Sequence, residues 1–408
     1  MTRSVSGSSA PHWRRNQAAV TTAAFIGFTG FTLVMPFLPL YFEALGVRDA
    51  STMAIWSGVS LGVTPAVTAL MAPVWARLAE RHGRKLMVAR SLASFVVIMS
   101  LLAFVTAPWQ VFALRAIQGL FAGYGVLALT MAAESAPPDQ TATAIGWVQT
   151  AQRLGPALGP VIGGTLAQTL GLRQTFLVSA SFYLVALILV LVGYHEVARV
   201  AEREEPPPPS ATFRELCRVP HFVLFMGTVF GLQLVDRSFG PILPLYLLEI
   251  GLRTDQAPFL SGVIFTTTAG SAAVGNQVSE WLLRRLRAGR LIPAMGAAAA
   301  GSALVFGLGP PVAGLVATAV VFGVGMGIAT TSTYTATTHA VSPDARGVAF
   351  GYLTSAYLVG LAASPVLAGF LGAVSMRGVF FVDAIGLAVL AWVVRVKMKP
   401  SPAVAAAG

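Results

Sequence analysis

Met35-Pro36-Phe37-Leu38-Pro39-Leu40-Tyr41 is written a second time, 205 residues on, as Gly240-Pro241-Ile242-Leu243-Pro244-Leu245-Tyr246. Both prolines return, and the match runs on to Gly46 and Arg48 against Gly251 and Arg253. The same offset pairs Pro138-Asp139 with Pro343-Asp344, Gly146 with Gly351, and Gly155, Pro160 and Gly164 with Gly360, Pro365 and Gly369. Several registers agreeing on one offset mark an internal duplication. In an apolar chain this is the pattern of membrane proteins built from parallel repeats, with a binding site at the interface of the halves.

The composition agrees. Of 408 residues, 55% are hydrophobic and only 11% charged, and the mean hydropathy is +0.74. Those are not the values of a soluble domain. Spanning the hydrocarbon takes about 20 apolar residues. Twelve such runs are predicted, at roughly 18–42, 53–76, 86–106, 108–133, 142–168, 174–194, 220–248, 258–281, 291–309, 312–336, 347–372 and 376–396. The expected fold is an all-α membrane protein of twelve transmembrane helices in two six-helix halves. Alternating ten-residue strands are absent, which excludes a β-barrel. The predicted organisation is a tail over 1–17, a first half over 18–196, a linker over 197–219, a second half over 220–397 and a tail over 398–408.

A net charge of +11 raises the question of nucleic acid, but there is no aromatic-basic module to bind it. The charge reads as topology. Of 27 Lys and Arg, only Arg48, Arg173, Arg253 and Arg377 fall in loops on one side, and Arg115, Arg153 and Arg237 fall within helices. The other 20 lie on the side of both termini, which the positive-inside rule makes cytoplasmic. The expected location is the bacterial cytoplasmic membrane, multi-pass, with both termini inside. Met1 to Gln17 is polar and runs into an apolar stretch too long for a cleaved signal peptide, so span 1 is expected to stay. Cys217 is the one cysteine, which leaves no internal disulfide and no cysteine-rich metal site. The five His, at 12, 82, 195, 221 and 339, are scattered, and no GxxxxGK[ST] phosphate loop occurs. No enzyme activity, cofactor or metal is expected.

Four stretches carry more specific information. Pro36 and Pro39 should bend span 1, and their counterparts span 7, by removing backbone donors. Between spans 2 and 3, Arg77-Leu78-Ala79-Glu80-Arg81-His82-Gly83-Arg84-Lys85 is a short turn dense in charge, where Gly83 ends the helix and Glu80 is placed to pair with Arg84 or to face the positive N-terminal end of a neighbouring helix. Arg115-Ala116-Ile117-Gln118-Gly119 puts an arginine inside span 4. There it costs at least about 2.5 kcal/mol and needs a partner or water. Gly155, Gly159 and Gly163 form one small-residue face on span 5, with Pro160 bending the rod.

The last three of these stretches resemble signatures of the major facilitator superfamily. Leu78, Arg81, Gly83, Arg84 and Lys85 match its inner-gate loop, with Ala76 and Glu80 standing where the family has Gly and Asp. The resemblance implies that Glu80, Arg81, Gly83, Arg84 and Lys85 clamp the halves together at the inner face. Arg115 with Gln118-Gly119 resembles the span-4 signature, in which the arginine is tied to proton coupling. Gly155, Gly159, Pro160, Gly163 and Gly164 resemble the antiporter signature of drug:proton exporters, with a conformational role. Leu33 to Gly46, Trp56-Ser57-Gly58 and Gly83 to Met87 look like bacterial multidrug-resistance members.

Asp236 and Arg237 stand in span 7 where the repeat has Phe31 and Thr32 in span 1. What a repeat fails to keep is the better functional candidate. A carboxylate within a membrane helix is a site hypothesis by default, and neighbours about 100° apart on a helix need not pair. Asp236, Arg115 and Glu134 are therefore the proton-coupling candidates. Phe31, Met35, Tyr124, Gln149 and Arg153 in the first half, with Gln233, Arg237, Tyr334 and Tyr357 in the second, are the substrate-cavity candidates. Glu43, Glu249 and Asp383 read as interfacial or structural.

The expected function is export of small molecules, drugs or antibiotics, in exchange for protons by alternating access, through a monomer in the lipid bilayer. The alternatives are a proton-coupled transporter of an anionic metabolite or sugar, and a non-transporting receptor. Three in-helix arginines against Asp236 would favour anionic or zwitterionic cargo over the cationic drugs of a routine exporter, which leaves the charge of the substrate open.

Overall fold

A computed structural model of the chain describes residues 13–137, 139–196, 212–342 and 345–398, and these contain no strand. Pro138, Pro343, Asp344, linker residues 197–211 and both far tails lie outside the described residues. The first half runs α1 (Trp13–Thr32), α2 (Leu38–Ala44), α3 (Ala50–His82), α4 (Arg84–Leu102), α5 (Pro108–Phe121), α6 (Tyr124–Ser135), α7 (Thr141–Leu170) and α8 (Leu172–Ile188), which ends in a π-helical turn at Leu189–Gly193. A short α9 (Phe213–Leu216) leads to α10 (Phe222–Asp236), α11 (Phe239–Glu249), α12 (Ala257–Leu283), α13 (Ala288–Leu308), α14 (Val312–Ala340), α15 (Arg346–Val374) and α16 (Met376–Lys397).

Among the described residues, ten stretches are long and apolar enough to cross a membrane, two of them, 108–135 and 222–249, running through a break. The protein is therefore a multi-pass membrane protein. The two other predicted spans, α1 with α2 and α7, are helical but diluted with Thr, Gly and Gln. At 1.5 Å per residue, the 30 residues of α7 extend roughly 45 Å, enough to cross.

The expected bends are interruptions, and their positions follow from the prolines. A proline gives no hydrogen bond to the carbonyl four residues back, and its ring collides with it. α1 stops at Thr32, four residues before Pro36, and Arg237, four before Pro241, is the C-cap of α10. The gap is 33–37 in the first half and 237–238 in the second. A further break, not foreseen from the sequence, separates α5 from α6 at Ala122-Gly123, where Gly123 takes φ 131.

The duplication is visible in side-chain contacts. The Tyr41 hydroxyl donates to Leu102 O at 2.6 Å, and Tyr246 repeats the bond to Phe306 O. Gly155 lies against Phe25 O and Gly360 against Phe230 O, both pairs shifted by the sequence offset. The halves meet along α3 with α15 and α7 with α12. Gly58 abuts Pro365 O, Gly369 abuts Ala54 O, Gly164 abuts Pro258 O and Gly262 abuts Pro160 O. Glycine at these positions lets backbones touch where a Cβ would collide.

All of these meetings lie away from the face that carries Trp13, His82, α9 and Lys397, here the terminal face. Toward that face the same helices part. A Cβ on Gly146 of α7, or on Gly347 or Gly351 of α15, would meet nothing within 4 Å.

Candidate substrate cavity

The space between the diverging halves is a cavity of about 590 Å³. α7 contributes Gln152, Arg153 and Pro156, the break of span 7 contributes Gln233, Asp236, Arg237 and Gly240, and the break of span 1 contributes Thr32 and Met35. The wall is completed by Thr268 and Asn276 of α12, Thr331 and Tyr334 of α14, and Tyr357 of α15. The Thr331 hydroxyl donates to Asn276 Oδ1 at 2.9 Å and ties α12 to α14 at the wall. Residues of both breaks line this cavity, and lining a cavity is the condition under which irregular backbone persists at membrane depth.

The charges gather at the break of span 7. Asp236 Oδ2 is 3.1 Å from Arg237 Nε. The sequence did not require that pair. It forms because α10 ends at Asp236, so the two side chains do not project as on a continuous helix. The contact is ionic but poorly aligned, since Arg237 Nε has no hydrogen-bonded partner. Tyr357 lines the same cavity as this pair.

A smaller recess of about 80 Å³ continues from the cavity, sharing Met35, Arg237 and Gly240 with it. Phe31 and Arg115 line the recess but not the main cavity. Arg115 is 2% exposed. Its Nη1 donates to Gln118 Oε1 at 3.0 Å, while Nε and Nη2 have no partner.

Three candidates lie elsewhere. The break at Gly123 turns Tyr124 into the core, 5.7 Å from the ring of Phe28. Gln149, one turn nearer the terminal face than Arg153, falls outside the cavity, whose α7 wall begins at Gln152. Glu134 is not brought to the cavity: its Oε1 is 2.6 Å from Arg84 Nη2 at the terminal face. Conversely Gln152, Thr268, Asn276 and Thr331 line the wall without having been singled out. The signal available for them was polarity inside apolar spans, weaker than that of charge or aromaticity.

At the terminal face the charged loop binds within the first half. Gly83, with φ 87, has the Glu196 carboxylate where a Cβ would stand, and Arg84 N donates to Glu196 Oε1 at 2.9 Å. Lys85 Nζ donates to Leu191 O at 2.8 Å and Tyr194 O at 2.7 Å. The carboxylates on Arg84 are thus Glu134 and Glu196, and the expected Glu80 pairing is not the one found. Gly83 breaks the helix, so Glu80 and Arg84 do not share a face one turn apart. The Arg84 and Lys85 contacts do not bridge the halves, as fits halves that part on this side. On span 5, Gly155 and Gly159 lie against α1, Gly163 against Leu33 O, and Gly164 and Pro160 against α12 of the other half. Val161 N donates to Thr266 Oγ1 across the halves at 3.2 Å.

Asp383 is not among the residues that line the cavity or the recess. It is 8% exposed on α16, and its Oδ2 lies 2.5 Å from the Ser238 hydroxyl at the break of span 7.

Residues 20–338 and 291–407 match the Major Facilitator Superfamily. The chain belongs to that superfamily. Among the curated relatives of this superfamily member are two proteins named multidrug resistance protein MdtG. That of Proteus mirabilis (strain HI4320) is 32% identical over 262 residues, 64% of this chain and 65% of the relative. That of Dickeya zeae (strain Ech586) is 36% identical over 264 residues, 64% of each. The matches thus span just under two thirds of those relatives. Among solved structures, a bacterial homolog of the human lysosomal transporter Spinster, in an inward-facing and occupied conformation, superposes with a TM-score of 0.80. It is 17% identical, over 97% of this chain and 100% of that one. The nucleoside transporter NupG superposes at 0.73 with 16% identity, over 95% and 100%. Both likenesses show the fold.

Proposed function

We propose that the protein is a secondary active transporter of the cytoplasmic membrane that exports small molecules, drugs or antibiotics, in exchange for protons by alternating access. The observation that carries this reading is a cavity between duplicated halves that holds one carboxylate, Asp236, at a helix break and extends toward the terminal face. With both termini in the cytoplasm, as the distribution of arginine argues, the conformer faces inward. The superfamily and the multidrug resistance relatives support export of drug-like molecules.

Asp236 exchanges its proton for substrate, with Arg237 Nε 3.1 Å from its carboxylate. An arginine does not release its proton in the working range, so Arg115 serves as a fixed charge and not as the carrier. Glu134, engaged with Arg84, belongs to the inner-gate cluster. Substrate and proton must each stabilise a different facing state for exchange to be coupled. The chain works as a monomer and makes no chemical change to its cargo.

The test is proton movement in energised inverted vesicles containing the protein, with cationic, neutral, anionic and zwitterionic antibiotics added in turn. Release of protons on addition of one charge class is the expected result. No release with any compound, from protein shown to be folded, removes the antiport reading.

A further inference from the structure

Arg115 is a cation with nothing to neutralise it. A guanidinium has five N–H donors. In this one a single acceptor, Gln118 Oε1, meets Nη1, and Nε and Nη2 are buried without a hydrogen-bond partner among the described residues. Neither the backbone of α5 nor a neighbouring carboxylate completes the set, although the residue is 2% exposed. An unpaired buried charge with open donors is costly, and it persists in membranes where a cavity, a partner or a ligand compensates it.

What Arg115 faces is the recess, and the second charged group on that recess is Arg237. The remaining lining is apolar apart from Thr64, whose hydroxyl is already donated to Arg115 O at 2.9 Å. Among the described residues no carboxylate lines the recess; Asp236 lines the main cavity, and Arg237 lines both. At about 80 Å³ the recess has room for a carboxylate and its first carbons, and the 590 Å³ cavity beyond has room for the body of the molecule.

We propose that Arg115 and Arg237 form a seat for the carboxylate of the substrate, and that the cargo is a zwitterion whose cationic amine meets Asp236. The seat rests on the transporter reading above and narrows it to a substrate class. The amine follows from coupling. An anion alone draws Arg237 away from Asp236, favours protonation of Asp236, and so binds together with a proton. That sign belongs to symport. A substrate amine at Asp236 takes the proton's place there, which is the sign antiport requires. The carboxylate then supplies affinity through planar, charge-assisted hydrogen bonds to two guanidinium forks.

The experiment compares three matched probes on the purified full chain: Nε-dansyl-lysine, its methyl ester, and its Nα-acetyl derivative. The ester keeps the amine and loses the carboxylate; the acetyl compound does the reverse. Binding is read by dansyl fluorescence. The free zwitterion is expected to bind roughly 10- to 100-fold more tightly than the ester, in line with loss of a charged hydrogen-bonded pair. Arg115→Gln should remove that preference and leave ester binding unchanged, and Arg115→Lys should restore part of it. The ester comparison in the unaltered protein needs no variant, so a failure of Arg115→Gln to fold does not shelter the idea. An ester that binds as well as the zwitterion, or no binding by any probe, overturns the seat. Ester-driven proton release in vesicles overturns the seat while leaving antiport standing. Preference for the zwitterion in binding, with no proton release by any compound, supports the seat and removes antiport.

Discussion

At the scale of residues, Ser238 and Asp383 show how little hydrogen there is to share. The Ser238 hydroxyl lies 2.8 Å from Val235 O and 2.5 Å from Asp383 Oδ2, and it has one proton for the two. Removing the acid leaves the serine a backbone acceptor, whereas removing the serine leaves a buried carboxyl without its partner. Ser238→Ala is therefore expected to lower stability by about 1–3 kcal/mol, and Asp383→Leu by less, in thermal unfolding of the detergent-solubilised protein. The reverse order would contradict the assignment. The same scale shows what a sequence offers at a site. Asp236, Arg153 and Arg237 were legible as charges within apolar spans, and all three line the cavity. Glu134 was equally legible as a charge, but its direction depends on where α6 ends and on Arg84 arriving from α4, which no local pattern encodes. Asn276 and Thr331 were hidden for a different reason: uncharged polar residues are common packing groups in membrane helices, so composition does not separate wall from core.

At the scale of elements, the prolines at 36 and 241 determine where two spans break, and glycine determines where the halves touch. Gly58 has Pro365 O, and Gly262 has Pro160 O, in the place of a side chain. Gly58→Val should open the contact between α3 and α15 and shift the protein toward an outward-open state. With Cys217 changed to Ser and Met35→Cys as reporter, an impermeant thiol reagent added outside should label faster in Gly58→Val. Equal labelling would show that this contact does not close the outer side. The outer loop before α3 gives a pH-dependent prediction. Asp49 caps α3, its Oδ2 accepting from Thr52 Oγ1 and from Thr52 N, each at 2.8 Å, and these bonds hold its carboxyl below the usual 3.8. A group with a depressed folded-state value adds stability above its unfolded value and loses it as pH falls through the folded one. Asp49→Ala should therefore lower the melting temperature at pH 7, and the difference from the unaltered protein should shrink as the pH drops below 3.8. A difference independent of pH would mean that the cap is not the cause. The break at Gly123 was not legible, because a glycine within an apolar run is as often a close helix contact as a turn, and only its φ of 131 decides.

At the scale of the whole molecule, the repeat in the sequence was the strongest guide. One offset anticipated the two halves, and the structure returns it in Tyr41 with Tyr246 and in Gly155 with Gly360. The facing state was not legible, since both states of an alternating-access protein use the same residues and differ in which glycine contacts are closed. The closed contacts here lie away from the terminal face and the cavity extends toward it. A single carboxylate at the centre of such a cavity should be indispensable for coupling and dispensable for movement of the halves. The most direct measurement uses proteoliposomes with the protein alone. Substrate accumulation driven by an imposed pH gradient is compared with exchange of substrate for substrate, for the unaltered protein and for Asp236→Asn. Asp236→Asn is expected to lose gradient-driven accumulation by at least about tenfold, the equivalent of 1.4 kcal/mol, while retaining exchange. Full gradient-driven accumulation in Asp236→Asn would contradict that expectation.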